Sequence, residues 1–270
     1  MCTTCGCSGT SEASVIQPAP SHDHSHDHHH DHDHHHSHDH HHDHHHDHGA
    51  VVTLEQQILA KNNLLAERNR GWFAGRGILA LNLMSSPGAG KTTLLERTIR
   101  ELGSALAISV VEGDQATETD AARIRAAGCN AVQINTGTGC HLDAEMLRRG
   151  LGALKPPPGS VVMIENVGNL VCPALFDLGE RAKVVMLSVT EGDDKPLKYP
   201  HMFRAAEIMI ITKADLLPHV DFNIERCLGY VRAVNRSIRT FVLSATTGEG
   251  MGAWYDWVTA QYLAAVEEPA

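Results

Sequence analysis

Ile78-Leu79-Ala80-Leu81-Asn82-Leu83-Met84, followed at once by Ser85-Ser86-Pro87-Gly88-Ala89-Gly90-Lys91-Thr92-Thr93, is the stretch on which the fold turns. The apolar run reads as a buried strand, and a helical pattern, Lys91–Leu102, follows the glycines. Strand, glycine-rich loop and helix N-terminus in that order form a phosphate-binding loop of the Gly-x4-Gly-Lys-[Ser/Thr] type, with Ser85 where the first glycine usually stands. Gly88 and Gly90 let backbone N–H groups turn toward phosphate oxygens, so Gly88, Ala89, Gly90, Lys91, Thr92 and Thr93 are the candidate cradle. The helix dipole favours the anion there, Lys91 reaches the β- and γ-phosphates, and the Thr92 hydroxyl suits Mg²⁺.

Outward from this loop, apolar runs recur at Ala105–Val111, Ala131–Asn135, Val161–Ile164, Val184–Val189, Ile208–Ile211 and Thr240–Leu243. Helical patterns at Thr119–Ala127, Leu142–Arg149, Phe222–Ala233 and Gly252–Val266 separate most of them. The runs are continuous rather than alternating, so both sheet faces are covered. This predicts an α/β fold, a P-loop NTPase with a mostly parallel sheet flanked by helices. Three parts are expected: a Cys-rich start and linker (1–20), a His/Asp tract (21–48) and the nucleotide domain (50–270). The domain opens with an amphipathic helix, Leu54–Arg70, with Thr53 and Gln56 placed as a capping box. Its apolar stripe, Leu54, Ile58 and Leu65, is expected to pack on the domain, with a partner-docking face as the alternative.

The base is legible after a later strand. Thr212-Lys213-Ala214-Asp215 resembles the Asn-Lys-x-Asp element that reads guanine. A carboxylate at Asp215 accepts from guanine N1–H and the exocyclic amine together, a donor pair adenine lacks. The Lys213 stem can lie over the purine face. Ser244-Ala245, after the next strand, is expected to present backbone N–H groups to guanine O6. Val161–Ile164 ends in Glu165-Asn166-Val167-Gly168, an acidic strand end with a γ-phosphate-sensing glycine three residues on. Glu112-Gly113-Asp114 closes another strand at the same edge, where Asp114 suits Mg²⁺ or the attacking water; a turn or helix-cap carboxylate is the plainer reading. Lys91, Asp114 and Glu165 are therefore the catalytic candidates, with Thr92, Glu165 and Asp114 as Mg²⁺ candidates.

A second set of donors points to softer metals. Cys140-His141 follows a strand, and Cys172 stands beyond the Glu165 loop, so both fall on the nucleotide edge. Two thiolates and an imidazole make a plausible Zn²⁺ or Ni²⁺ site with one position open. Cys2, Cys5 and Cys7 form a Cys-x2-Cys-x-Cys cluster; once Met1 is removed, the freed Cys2 amine completes a square S₃N donor set that Ni²⁺ tolerates. Between Ser21 and His48 stand 18 His and 7 Asp among 28 residues, with no Lys or Arg. Such a segment buries nothing, and is expected to be disordered and to bind divalent transition metals. The tract carries −7 of the net charge of −10, and the remaining −3 gives no reason to expect nucleic acid. Scattered cysteines, the lack of a leader pattern and the absence of an apolar run of ~18 residues predict a cytoplasmic protein with no membrane contact.

Gly139-Cys140-His141, Glu165-Asn166-Val167-Gly168-Asn169-Leu170-Val171-Cys172-Pro173 and the phosphate loop occur together, along with Met1–Cys7, the His-rich insert, Glu112–Asp114, Lys213–Asp215 and Ser244–Gly250. In this combination the chain resembles the hydrogenase nickel-incorporation GTPases, the HypB family. The resemblance implies a slow, regulatory GTPase that binds GTP/GDP, Mg²⁺, Ni²⁺ and Zn²⁺. It also implies a nucleotide-dependent homodimer of the signal-recognition class. The partners it implies are a small HypA-type nickel/zinc accessory protein and the [NiFe]-hydrogenase large-subunit precursor. A urease nickel-insertion GTPase and a non-enzymatic nickel store are the alternatives.

Overall fold

The computed structural model describes residues 14–16, 48–114 and 119–267; Cys2, Cys5, Cys7 and the His/Asp tract before His48 lie outside them. Strands β1 (Ser14–Ile16), β2 (Leu79–Ser85), β3 (Ile108–Asp114), β4 (Asn130–Asn135), β5 (Val161–Glu165), β6 (Ala182–Ser188), β7 (Ile208–Thr212) and β8 (Arg239–Val242) join in one sheet. Its order is β1-β4-β3-β5-β2-β6-β7-β8. Strands β2 to β8 pair in parallel, and β1 adds an antiparallel edge on β4, a strand the sequence did not suggest within the supposed linker. Every residue of β2, β5 and β7 is buried, which is why these segments read as unbroken apolar runs.

The helices are α1 (His48–Ala74), α2 (Lys91–Leu102), α3 (Thr119–Ala126), α4 (Ala144–Leu154), α5 (Lys195–Lys198), α6 (Pro200–Ala205), α7 (Ile224–Val234) and α8 (Met251–Glu267). Leu94, Leu95 and Ile99 of α2 pack with Trp254 and Val258 of α8 against one set of sheet residues. The Trp254 indole N–H donates to Thr98 Oγ1 at 3.0 Å, so the largest buried side chain leaves no polar atom unpaired there. Phe73 of α1 and Leu147 and Leu151 of α4 pack against another set that includes Ala80, Val111 and Ile164. A third cluster gathers Met202, Phe203, Val231 and the β6–β7 pair.

Two expectations about the leading helix fail. α1 begins at His48, so Thr53 stands inside the helix and not at its first turn. The buried stripe is Asn62, Ala66, Asn69 and Phe73, at helical spacing, while Ile58 is 42% exposed and Leu65 only partly covered. α4 starts at Ala144 rather than Leu142, since the Asp143 side chain accepts from Met146 N–H and caps it. Strand β3 runs on through Glu112 and Gly113, so Asp114 is its last residue, in register with Asn135.

The parallel arrangement gathers strand ends. Ser85, Asp114, Asn135, Glu165 and Thr212 all close their strands at one sheet edge, so chemistry scattered over much of the chain converges there.

Candidate functional site

The phosphate loop wraps back on itself through two residues with positive φ, Gly88 at 75° and Gly90 at 97°. Lys91 is buried, and its Nζ donates to Ser85 Oγ at 3.0 Å. Ser85 thus supplies a resting partner for the lysine at the position where glycine was expected. Burial pushes the Lys91 ammonium below its ordinary range, opposed by Glu165, Asp120, Glu112 and Glu191. Thr92 Oγ1 donates to Glu165 Oε1 at 2.8 Å, which brings two of the Mg²⁺ candidates into contact. Gly168 backs onto the same loop: a Cβ there would lie 3.0 Å from Pro87 Cα and N.

Glu112 is the residue that sequence reading passed over. It faces Glu165 in strand register, and Glu112 Oε2 and Glu165 Oε2 are both buried without a hydrogen-bond partner among the described residues. Burial, and then the Glu165 charge, push the Glu112 carboxyl up to about 9. Burial likewise pushes Glu165 up to about 7 against the pull of Lys91 and Thr92. Paired, orphaned carboxyl oxygens beside a threonine hydroxyl are the donor set a hard divalent cation requires, so the residues present fit Mg²⁺. Asp114 opens on the same cavity of about 630 Å³, as do Asp120 and Arg123. The Arg123 guanidinium is tied to both Glu96 oxygens, at 3.1 and 2.9 Å, and to Asp120 at 3.2 Å.

A second cavity, of about 290 Å³, adjoins the first through Gly90, Thr93 and Lys213 and is lined also by Ala89, Asp215, Ala245 and Thr246. Asp215 Oδ1 is buried and unpartnered there. Lys213, itself left-handed at φ 58°, donates to Gly88 O at 2.8 Å. The Thr212 hydroxyl donates to Ala89 O at 2.7 Å, giving the threonine at this position a use: it ties the base loop to the phosphate loop. Ser244 departs from the expectation. Its N–H donates to Glu249 O at 2.9 Å and its Oγ accepts from Thr247 N–H, so it builds the loop and leaves the cavity wall to Ala245 and Thr246.

Cys140, His141 and Cys172 meet as the sequence suggested, with their ligand atoms within 4.8 Å of one another. The two sulfurs are 2.9 Å apart, and His141 Nδ1 lies 3.6 Å from the Cys140 sulfur. The His141 ring stacks on Phe176, centroids 3.9 Å apart, and burial lowers its pKa, which favours the neutral, ligating form. A Cβ at Gly139 would meet Thr136 O at 2.9 Å, so the turn that presents Cys140 is closed tightly. Cys129 and Cys227, by contrast, are core residues whose thiols burial pushes up to about 12.

Cys140 also lines the larger cavity, so the sulfur cluster borders the phosphate site. Asn166, next to Glu165, joins the two: its Oδ1 accepts from Leu142 N–H and Val167 N–H at 3.0 Å each, and its Nδ2 donates to Asn82 Oδ1 at 3.2 Å. Asn82 in turn donates to Glu180 Oε1 at 2.9 Å. This buried chain of amides was not readable in advance, because its members come from four separate stretches of sequence. Among the described residues, no helix is long and apolar enough to cross a membrane.

Residues 79–242 match the CobW/HypB/UreG nucleotide-binding domain family. The chain is 59% identical over 208 residues to the hydrogenase maturation factor HypB of Rhizobium leguminosarum bv. viciae, covering 77% of this chain and 70% of that one. The crystal structure of HypB from Archaeoglobus fulgidus superposes with a TM-score of 0.71 at 39% identity, covering 75% of this chain and 99% of that one. A crystal structure of HypB from Helicobacter pylori in complex with nickel gives the same TM-score, 0.71, at 36% identity, covering 78% of this chain and 98% of the other.

Proposed function

We infer the function from a single premise: the chain belongs to the HypB family of hydrogenase maturation factors, P-loop GTPases of the CobW/HypB/UreG group. On that premise the protein hydrolyses GTP and uses its nucleotide state to control nickel on its way to a [NiFe]-hydrogenase precursor. The observation that carries this reading is the double position of Cys140, which is both a member of the sulfur cluster and part of the phosphate-cavity wall.

Guanine occupies the smaller cavity, where the Asp215 carboxylate, with its buried Oδ1 unpartnered among the described residues, accepts from N1–H and the exocyclic amine. The phosphates lie over Gly88–Thr93, and Lys91 exchanges Ser85 Oγ for a phosphate oxygen. Thr92 and Glu165 would hold Mg²⁺, which when bound supplies charge neutralisation on the phosphate oxygens. Asp114 holds the attacking water. The water oxygen bonds to the γ-phosphorus as the bond from phosphorus to the β-phosphate oxygen breaks, and the water's proton passes through Asp114 to the released phosphate, leaving GDP and inorganic phosphate. Arg123 is occupied by Glu96 and Asp120, so it gives the transition state little help and the hydrolysis is slow.

Cys140, His141 and Cys172 carry Ni²⁺ as cargo or Zn²⁺ in its place, with one coordination position open. GTP closes a two-fold dimer, and hydrolysis reorganises the ligands so that metal passes to the HypA-type accessory protein or to the hydrogenase large subunit. The His/Asp tract stores several metal ions, and Cys2, Cys5 and Cys7 hold one tightly. Two full-length variants test the division of labour. Lys91→Ala is expected to abolish GTP hydrolysis yet keep nickel at the cluster, and Cys172→Ser to lose cluster nickel yet keep hydrolysis. Both are expected to abolish hydrogenase maturation at low nickel. Parental maturation by Cys172→Ser would remove the cluster from the delivery path.

A further inference from the structure

The ligands of the sulfur cluster come from two loops, Cys140-His141 between β4 and α4, and Cys172 between β5 and β6. The two loops are held together from behind by α1, and two asparagines do most of the holding. Asn62 Oδ1 accepts from Ala144 N–H at 2.9 Å, and Asn62 Nδ2 donates to Asp177 O at 2.8 Å. Asn69 Nδ2 donates to Ala144 O at 2.9 Å and to Leu178 O at 3.0 Å. Each asparagine therefore spans both ligand loops. Ala144 stands just beyond His141, and Asp177 just beyond Phe176, whose ring stacks on His141.

The contact is close as well as polar. Gly179 has φ +87°, and a Cβ there would collide with Ala66 O and lie 2.7 Å from Arg70 N, so the Cys172 loop is seated on the α1 backbone. Arg70 adds a hydrogen bond to Glu180 O at 3.0 Å and an ion pair with Asp177 at 2.5 Å. Asn62 and Asn69 are 5% and 3% exposed. A helix docked only for stability would bury leucine or isoleucine at these positions at lower cost. Amides that bond to both loops instead fix where the two loops stand relative to one another.

We propose that Asn62 and Asn69 are positioning residues of the Cys140, His141 and Cys172 site, and that α1 is a clasp which sets the spacing of its sulfur and nitrogen donors. This rests on reading that cluster as a metal site. α1 begins at His48, where the His/Asp tract ends, and bonds the ligand loops through Ala144, Asp177 and Leu178.

The test uses the full chain with Cys2, Cys5 and Cys7 replaced by serine, so that a thiolate-to-nickel charge-transfer band reports the cluster alone. Ni²⁺ is titrated against a chelator while the band is followed. Asn62→Ala and Asn69→Ala are each expected to weaken nickel at the cluster about 10- to 100-fold and to shift the band, with GTP affinity within about two-fold of the parent. Asn235→Ala is the control: it also cuts two part-buried side-chain bonds between separate segments, to Phe203 O and Ala206 O, and is expected to leave nickel affinity unchanged. Nickel affinity within about two-fold of the parent in both α1 variants, while Cys172→Ser loses the band, overturns the clasp alone. An equal loss in Asn235→Ala overturns it as general loosening. A band that survives Cys172→Ser removes the metal reading and the clasp with it.

Discussion

The oxygen cluster at Thr92, Glu112 and Glu165 and the sulfur–nitrogen cluster at Cys140, His141 and Cys172 share one sheet edge and border one cavity. They differ in how burial acts on them. In the oxygen cluster, burial holds protons on the two carboxyls, so a hard cation must displace protons to enter. In the sulfur cluster, burial keeps His141 neutral and ready to ligate. On the proposed reading, donor hardness sorts the cations, Mg²⁺ to oxygen and Ni²⁺ or Zn²⁺ to sulfur and nitrogen.

The strongest way to separate the clusters is Lys91→Ala. It is expected to lower GTP hydrolysis by ~10³ or more while the nickel charge-transfer band of the sulfur cluster persists, measured by phosphate release and absorbance on the same sample. Loss of both together would mean the clusters are one site. Asp215→Asn comes next, since it turns an acceptor oxygen into a donor facing the guanine amine. GTP affinity measured by calorimetry is expected to fall by about 2–4 kcal/mol, with nickel binding untouched.

A pH series probes the oxygen cluster alone. Glu112 and Glu165 have folded-state values of about 9 and about 7, above the ordinary 4.5. The folded chain therefore holds protons that the unfolded chain has already released. The stability this pair contributes is fully present below pH 4.5 and is lost progressively as pH rises from there, through about 7 for Glu165 and about 9 for Glu112. Thermal melts without nucleotide are expected to drop over that window, and Mg²⁺ with a GTP analogue to flatten the drop. A rise in Tm across the window would show that the carboxyls are ionised and already paired. The smallest effect is expected from Cys227→Ala, a buried thiol outside both clusters. Nickel stoichiometry should not change, and denaturant melts should show a loss of about 1–2 kcal/mol.

Sequence made the phosphate loop, the strand-end acids and Cys140-His141 legible because their chemistry is local: glycines, a lysine or a ligand pair within a few residues. It hid whatever depends on pairing between distant strands. Glu112 matters because β3 sets it opposite Glu165, and only an acid closing an apolar run hinted at that. Asn62 and Asn69 were invisible for the opposite reason. Apolar periodicity selected Leu54, Ile58 and Leu65 on the same helix, while the face that docks carries amides bonded to loops about a hundred residues away. Ser244 shows a further limit: a motif names a residue, but the loop spends its N–H on Glu249.

The central claim is that nucleotide and nickel bias one switch, and linked titrations test it most directly. Nickel affinity of the full chain with Cys2, Cys5 and Cys7 replaced by serine is measured with a non-hydrolysable GTP analogue and with GDP, and nucleotide affinities are measured with and without nickel. Coupling predicts nickel affinities that differ by about 5- to 150-fold between the two nucleotide states, and a nickel-induced change in the GTP/GDP preference by the same factor. Equal nickel affinity in both states, with nucleotide preference unmoved by nickel, would contradict it.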